Sequence, residues 1–95
     1  MAAAQRSGRA VLRMAAAQRS VTLITRVGCH LCADAEVRLA ELATELGFSL
    51  EVLDVDADRV RANEYSDRVP VFLIDGAEHG YWRLEEARFR AALDR

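Results

Sequence analysis

The stretch Val21-Thr22-Leu23-Ile24-Thr25-Arg26-Val27-Gly28-Cys29-His30-Leu31-Cys32 decides how this chain folds. Val21, Leu23 and Thr25 alternate with Thr22 and Ile24, which is the period of a strand. Gly28 then turns the chain. From about Cys29 to Leu46 the period becomes helical. Ala35, Leu39, Leu42, Ala43 and Leu46 fall on one stripe, and Asp34, Arg38, Glu41 and Glu45 fall on a water-facing side. Gly47 stands where a helix ends in a residue of positive φ. Cys29 is thus expected at the helix N-cap or first turn, with Cys32 one turn further on.

Working outward, Phe48, Leu50 and Val52 alternate with Ser49 and Glu51 in a second strand that ends near Asp54 or Val55. Residues 56–67 are expected to form a short helix, with Asp56 or Asp58 as N-cap and Val60 as its inward anchor. Val71-Phe72-Leu73-Ile74 reads as a buried third strand, and Asp75-Gly76 as a two-residue hairpin turn. Residues 77–82 then supply a fourth strand and 84–93 a last helix. A β-α-β opening requires parallel strands joined by a crossover helix, and the hairpin requires an antiparallel pair. The order β-α-β-α-β-β-α is an α/β architecture with a mixed four-stranded sheet and three helices, the minimal thioredoxin fold.

A chain of 95 residues, 52% of them hydrophobic, supports one packed domain. It contains no apolar run of the length that spans a bilayer, so no membrane association is expected. All 13 basic residues are arginine, which excludes lysine-based chemistry. Arg6, Arg9, Arg13 and Arg19 lie in an acid-free leader, which leaves 9 arginines against 15 acids in residues 21–95. An acidic body argues against nucleic acid as a partner. Within the leader, Met1–Ser7 recurs identically as Met14–Ser20, so Met14 is an alternative start. Residues 1–19 are read as a disordered or loosely helical extension, and residues 20–95 as the folded domain.

Cys29 and Cys32 are the only cysteines, and their adjacency is unlike the scattered cysteines of a secreted disulfide scaffold. The pattern fits a reducing compartment, and the expected location is cytoplasmic. At the head of a helix, backbone N–H groups and the macrodipole favour a thiolate at Cys29. Cys32 is expected to be more buried and to keep its proton. The i, i+3 spacing allows a disulfide between them, so Cys29 reads as nucleophile and Cys32 as resolving thiol. A tetrahedral zinc site needs four ligands, and His30 and His79 are the only histidines available to complete one, so no metal is expected. His30 follows the nucleophile directly and is either a group that assists a thiolate or a solvated side chain. Asp54, Asp56 and Asp58 lack the glycine and distal glutamate of a calcium loop and read as helix caps.

Residues 21–93 resemble the glutaredoxin family, and more closely its small bacterial glutaredoxin-like branch. Thr25–Cys32, Arg68-Val69-Pro70-Val71-Phe72, and the hairpin followed by Gly80 and a last helix carry the resemblance. Arg26 stands three residues before the nucleophile, where glutaredoxins place a lysine that binds the glutathione carboxylate and favours the thiolate. Arg68-Val69-Pro70 matches the Thr-Val-Pro motif, which implies a cis Val69–Pro70 bond packed against the dithiol, with the Val69 backbone free to pair with substrate. The resemblance therefore implies a substrate site formed by Arg26, His30, Val69, Pro70 and Gly80. Two departures stand out. His30 and Leu31 replace the proline and tyrosine of Cys-Pro-Tyr-Cys. The Gly-Gly-x-x-Asp that grips glutathione is His79-Gly80-Tyr81-Trp82-Arg83 here, and an arginine cannot receive the ammonium that aspartate would. Trp82 reads as core or edge packing, and Arg83 as a solvated helix-start residue.

The expected activity is thiol–disulfide exchange on protein disulfides or small-thiol mixed disulfides, by a monomer. A reductase or low-molecular-weight thiol would donate the electrons. No cofactor is expected beyond the Cys29–Cys32 disulfide itself; glutathione is a candidate small thiol whose recognition the departures weaken. The alternative is a non-enzymatic binding module or an iron–sulfur cluster carrier.

Overall fold

The computed structural model describes residues 16–94. The elements are β1 (Ser20–Thr25), α1 (His30–Leu46), β2 (Ser49–Asp54), a 3-10 turn (Val55–Ala57), α2 (Arg59–Tyr65), β3 (Val71–Ile74), β4 (Ala77–Tyr81) and α3 (Glu86–Leu93). One four-stranded sheet runs in the order β2-β1-β3-β4. β1 pairs parallel with β2, with Leu23 opposite Val52, and antiparallel with β3, with Leu23 opposite Phe72. β3 and β4 are antiparallel, with a register shift between Phe72 and Leu73. This is the expected thioredoxin-type arrangement.

Strand periodicity distributes the core over both sheet faces. Val21 and Leu23 of β1 and Phe72 of β3 join Leu39, Leu42, Phe48, Phe89 and Leu93 in the larger cluster, between the sheet, α1 and α3. Ile24, Val71 and Leu73 point the other way and meet Val55, Tyr65 and Val69 in a smaller cluster under α2. Phe48 and Phe89 meet edge to face, with ring centroids 5.7 Å apart. α1 ends as its sequence requires, at Gly47 with φ of 87°, whose N–H bonds to the Ala43 carbonyl.

Val60 corrects one expectation. It is 78% exposed rather than an inward anchor. Asp58 is the N-cap of α2, its carboxylate accepting the Arg61 N–H. With that start, Arg61, Ala62 and Tyr65 lie against the body and Val60 falls off the stripe. Boundaries also move: the helix expected over residues 56–67 is confined to Arg59–Tyr65. β2 starts after Phe48, Trp82 leaves β4, and α3 begins at Glu86 rather than Leu84.

The hairpin forms as its Asp-Gly pair requires, with φ of 51° at Asp75 and 83° at Gly76. Asp75 also ties the turn to the start of β1. Its carboxylate accepts the Ser20 N–H at 2.9 Å and Arg19 Nη1 at 2.7 Å. Arg19 further donates Nε to the Leu93 carbonyl at 3.3 Å, and Ala16 is buried in the larger cluster. Of the extension expected over residues 1–19, the first fifteen lie outside the described residues, and of the rest Ala16 and Arg19 are held against the domain while Ala17 and Gln18 are exposed.

Two measurements check this packing. Leu39→Ala should lower unfolding free energy by about 2–5 kcal/mol, whereas Val60→Ala should stay within about 0.5 kcal/mol; urea titrations read both. The Ser20 N–H and then Arg19 hold the Asp75 carboxyl below its ordinary value. A depressed carboxyl contributes stability above its unfolded value of about 3.9, and that contribution is lost as pH falls through the folded value. Asp75→Asn should therefore lower the urea midpoint at pH 7, with the gap to the parent closing as pH drops below about 3.9.

Candidate functional site

The site begins where β1 leaves the sheet. Gly28, at φ of 85°, makes the turn. Cys29 follows as the N-cap of α1, at φ −89° and ψ 114°. Its N–H bonds to the Arg26 carbonyl at 3.2 Å, and its own carbonyl accepts the Ala33 N–H at 3.0 Å, the first bond of the helix. Its Sγ fills the role an oxygen plays in an ordinary cap, accepting the Cys32 N–H at 3.2 Å.

The two thiols are free and unequal. Cys29 is half-buried, and Cys32 is buried in the first turn of α1. Burial pushes the Cys32 thiol up to about 11, with a further upward push from its hydrogen bond to the Cys29 side chain; the Arg26 backbone N–H offsets this in part. Cys32 thus holds its proton at neutral pH. One sulfur is accessible and accepts the Cys32 N–H, and the other is enclosed.

Val69–Pro70 is a cis bond. Pro70 is buried at the start of β3, and its carbonyl accepts the Trp82 N–H at 2.8 Å. Val69 packs on the smaller cluster, and its backbone N–H and carbonyl have no hydrogen-bond partner among the described residues. Gly80 lies opposite Phe72 in β4, and a Cβ there would come within 3.2 Å of the Arg88 guanidinium. His30 is exposed at the start of α1 and makes no hydrogen bond or ion pair among the described residues. Arg26 is not directed at open space: Asp56 and Ser66 occupy its guanidinium.

Trp82 is not core: it follows the edge strand β4, with its indole N–H donated to the Asp67 carbonyl at 3.4 Å. It is 54% exposed, at φ of 69°, and the Arg83 N–H bonds back to the Tyr81 carbonyl at 2.9 Å. These features make Trp82 the centre of a γ-turn of the strained hand. The Trp82 ring stands edge-on to Tyr81 at 5.0 Å and walls a cleft of about 320 Å³. Leu31 of the Cys-x-x-Cys, Asp34 and Arg38 form the opposite wall, with Arg83 and Leu84 beside the indole. Arg38 is neutralised by Glu86 through bonds of 2.6 and 2.8 Å, whereas the Asp34 carboxylate and the Arg83 guanidinium have no partner among the described residues. Sequence reading missed this cleft because a solitary Trp carries no spacing signal. Its exposure follows from the γ-turn, which no pattern of residue types announces.

Among the described residues, no three of His, Cys, Asp and Glu come together as metal ligands. No helix among them is long and apolar enough to cross a membrane.

Comparison with known proteins agrees with this geometry. Residues 20–94 match the family described as glutaredoxin-like domain (DUF836). An uncharacterized protein of Mycobacterium tuberculosis is 45% identical over 79% of this chain and 82% of its own length, as is a counterpart in Mycobacterium bovis. The solution structure of protein Ne2328 from Nitrosomonas europaea is 30% identical, with a TM-score of 0.69 over 78% of this chain and 89% of that one. The thioredoxin of Fasciola hepatica shares the fold, with a TM-score of 0.57 at 21% identity over 90% of this chain and 86% of its own. The chain belongs to the glutaredoxin-like DUF836 family, with a thioredoxin-type fold and a Cys29–Cys32 pair at the head of its first helix.

Proposed function

We propose that this protein is a thiol–disulfide oxidoreductase, with Cys29 as nucleophile and Cys32 as resolving thiol. The observation that carries this reading is the inequality of the two sulfurs. The accessible one sits at a helix N-cap, and the buried one holds its proton at neutral pH. The Cys29 thiolate attacks one sulfur of a substrate disulfide, forming a mixed disulfide and expelling the other half as a thiolate, which takes a proton from water. Cys32 then loses its proton and attacks the Cys29 sulfur. The second substrate half leaves as a thiol that takes up the proton, and the Cys29–Cys32 disulfide forms. Two electrons pass to the substrate, and an external dithiol, or two monothiols, returns them.

Substrates in this reading are protein disulfides or mixed disulfides of small thiols. The unpaired Val69 backbone offers an edge to an extended segment. The cleft beside Leu31, at about 320 Å³, lies within the size range of small-molecule sites. A cycle that consumes thiol reductant suits a reducing compartment such as the cytoplasm.

Exchange should vanish in Cys29→Ser, and Cys32→Ser should stop at a mixed disulfide that intact-mass spectrometry detects as a single substrate adduct. A folded Cys29→Ser protein with undiminished exchange would falsify the assignment. Alkylation gives an independent check. At pH 7 the reduced protein should take up one carbamidomethyl group, mapped to Cys29. Labelling of Cys32 should rise only as pH approaches about 11 or on unfolding.

A further inference from the structure

Arg26 is bonded at both ends. Its carbonyl accepts the Cys29 N–H at 3.2 Å, and its backbone N–H faces the Cys32 sulfur. The Arg26 main chain is therefore tied directly to the nucleophile of the dithiol. Its side chain crosses to two other elements. Nε and Nη2 bind the two carboxylate oxygens of Asp56, in the 3-10 turn, at 2.9 and 3.1 Å. Nη1 donates to the Ser66 carbonyl at 3.1 Å, and Nη2 to the Ser66 hydroxyl at 2.6 Å, at the end of α2.

Those four bonds use four of the five N–H donors of a guanidinium. A substrate carboxylate seeking the usual two-pronged grip would have to displace Asp56 or Ser66. The fork is held in the plane that joins the 3-10 turn to α2, and its main chain sets where Cys29 begins the helix. We propose that Arg26 is a positioning residue: it holds the Cys29–Cys32 loop through Asp56 and Ser66, and does not bind substrate. The proposal rests on Cys29 being the nucleophile.

The test compares Arg26→Ala, Arg26→Lys, Asp56→Asn and the Arg26→Ala/Asp56→Asn double variant. The Arg26–Asp56 pair is solvent-accessible, so each protein should remain folded, which circular dichroism checks. Reduced protein is mixed with bis(2-hydroxyethyl) disulfide, which is uncharged, or with 3,3′-dithiodipropionate, which bears a carboxylate on each half. Quenched alkylation follows its oxidation at sub-saturating and saturating disulfide. Arg26→Ala and Asp56→Asn should each slow oxidation roughly tenfold with both disulfides, at saturation as well as below it. The double variant should be no slower than Arg26→Ala alone, because both changes break one clamp. Arg26→Lys, which keeps the charge but not the fork, should resemble Arg26→Ala.

A loss confined to 3,3′-dithiodipropionate and abolished at saturation, with Asp56→Asn unaffected, would make Arg26 a carboxylate-binding group and overturn the proposal. So would unchanged rates in both Arg26→Ala and Asp56→Asn. The Cys29–Cys32 equilibrium in dithiothreitol buffers is read in parallel. Arg26→Ala and Asp56→Asn should move it in the same direction by the same factor, at least threefold; a tenfold shift corresponds to about 30 mV for a two-electron couple. If the parent protein oxidises with neither disulfide, the proposed function fails, and this equilibrium alone decides the role of Arg26.

Discussion

β1 is hydrogen-bonded on both edges, to β2 and β3, and covered on both faces, by the larger and smaller clusters. A strand enclosed in this way cannot slide or rotate, because a shift of one residue would carry Leu23 and Ile24 to each other's faces. Its C-terminal end is therefore a fixed point, and Arg26–Cys29 leave from it. Within five residues the chain turns at Gly28 and starts α1, whose own position is set by Leu39 and Leu42 against the same strand. The location of the dithiol is a consequence of core packing, and its geometry a consequence of helix capping. That is why a cysteine sulfur can stand where a serine or aspartate oxygen usually does.

Arginine holds the outer parts together. Arg38 joins α1 to Glu86 and Arg90 joins α3 to Glu45, so two bidentate pairs lock the helices that cover the larger cluster. Arg68 lies over Tyr65 and Tyr81 at 5.7 and 5.9 Å and pairs with Glu78 at 3.2 Å, just ahead of the Val69–Pro70 turn. Pairs this exposed add little to stability. Their common effect is orientation. A planar fork with several donors restrains the angle between two elements as well as their distance, which a lysine ammonium does not. Arg26 does the same beside the dithiol, and the absence of lysine from the chain suits that use.

The legible parts of this protein are those governed by local periodicity and turn chemistry. The stripe of Ala35, Leu39 and Leu42, the positive φ of Gly47 and the Asp75-Gly76 turn all follow from residue type at a given spacing. The Cys29 N-cap was legible for the same reason. Val60 was not, because α2 has only two turns, and a stripe that short is placed by its cap and by Tyr65 rather than by its own pattern. The resemblance in Arg68-Val69-Pro70 pointed to the cis bond, and the structure adds its link to β4 through Trp82.

The sequence by itself determined the order of elements, the mixed sheet and the placement of Cys29 and Cys32, since each depends on neighbours within a few residues along the chain. Tertiary structure alone decided what the charged and aromatic side chains do. Arg26 is bonded to residues thirty and forty positions away. Trp82 walls a cleft because its backbone bonds to Pro70, twelve residues earlier. Long side chains choose partners by proximity in space, and that proximity exists only once the sheet has brought distant segments together.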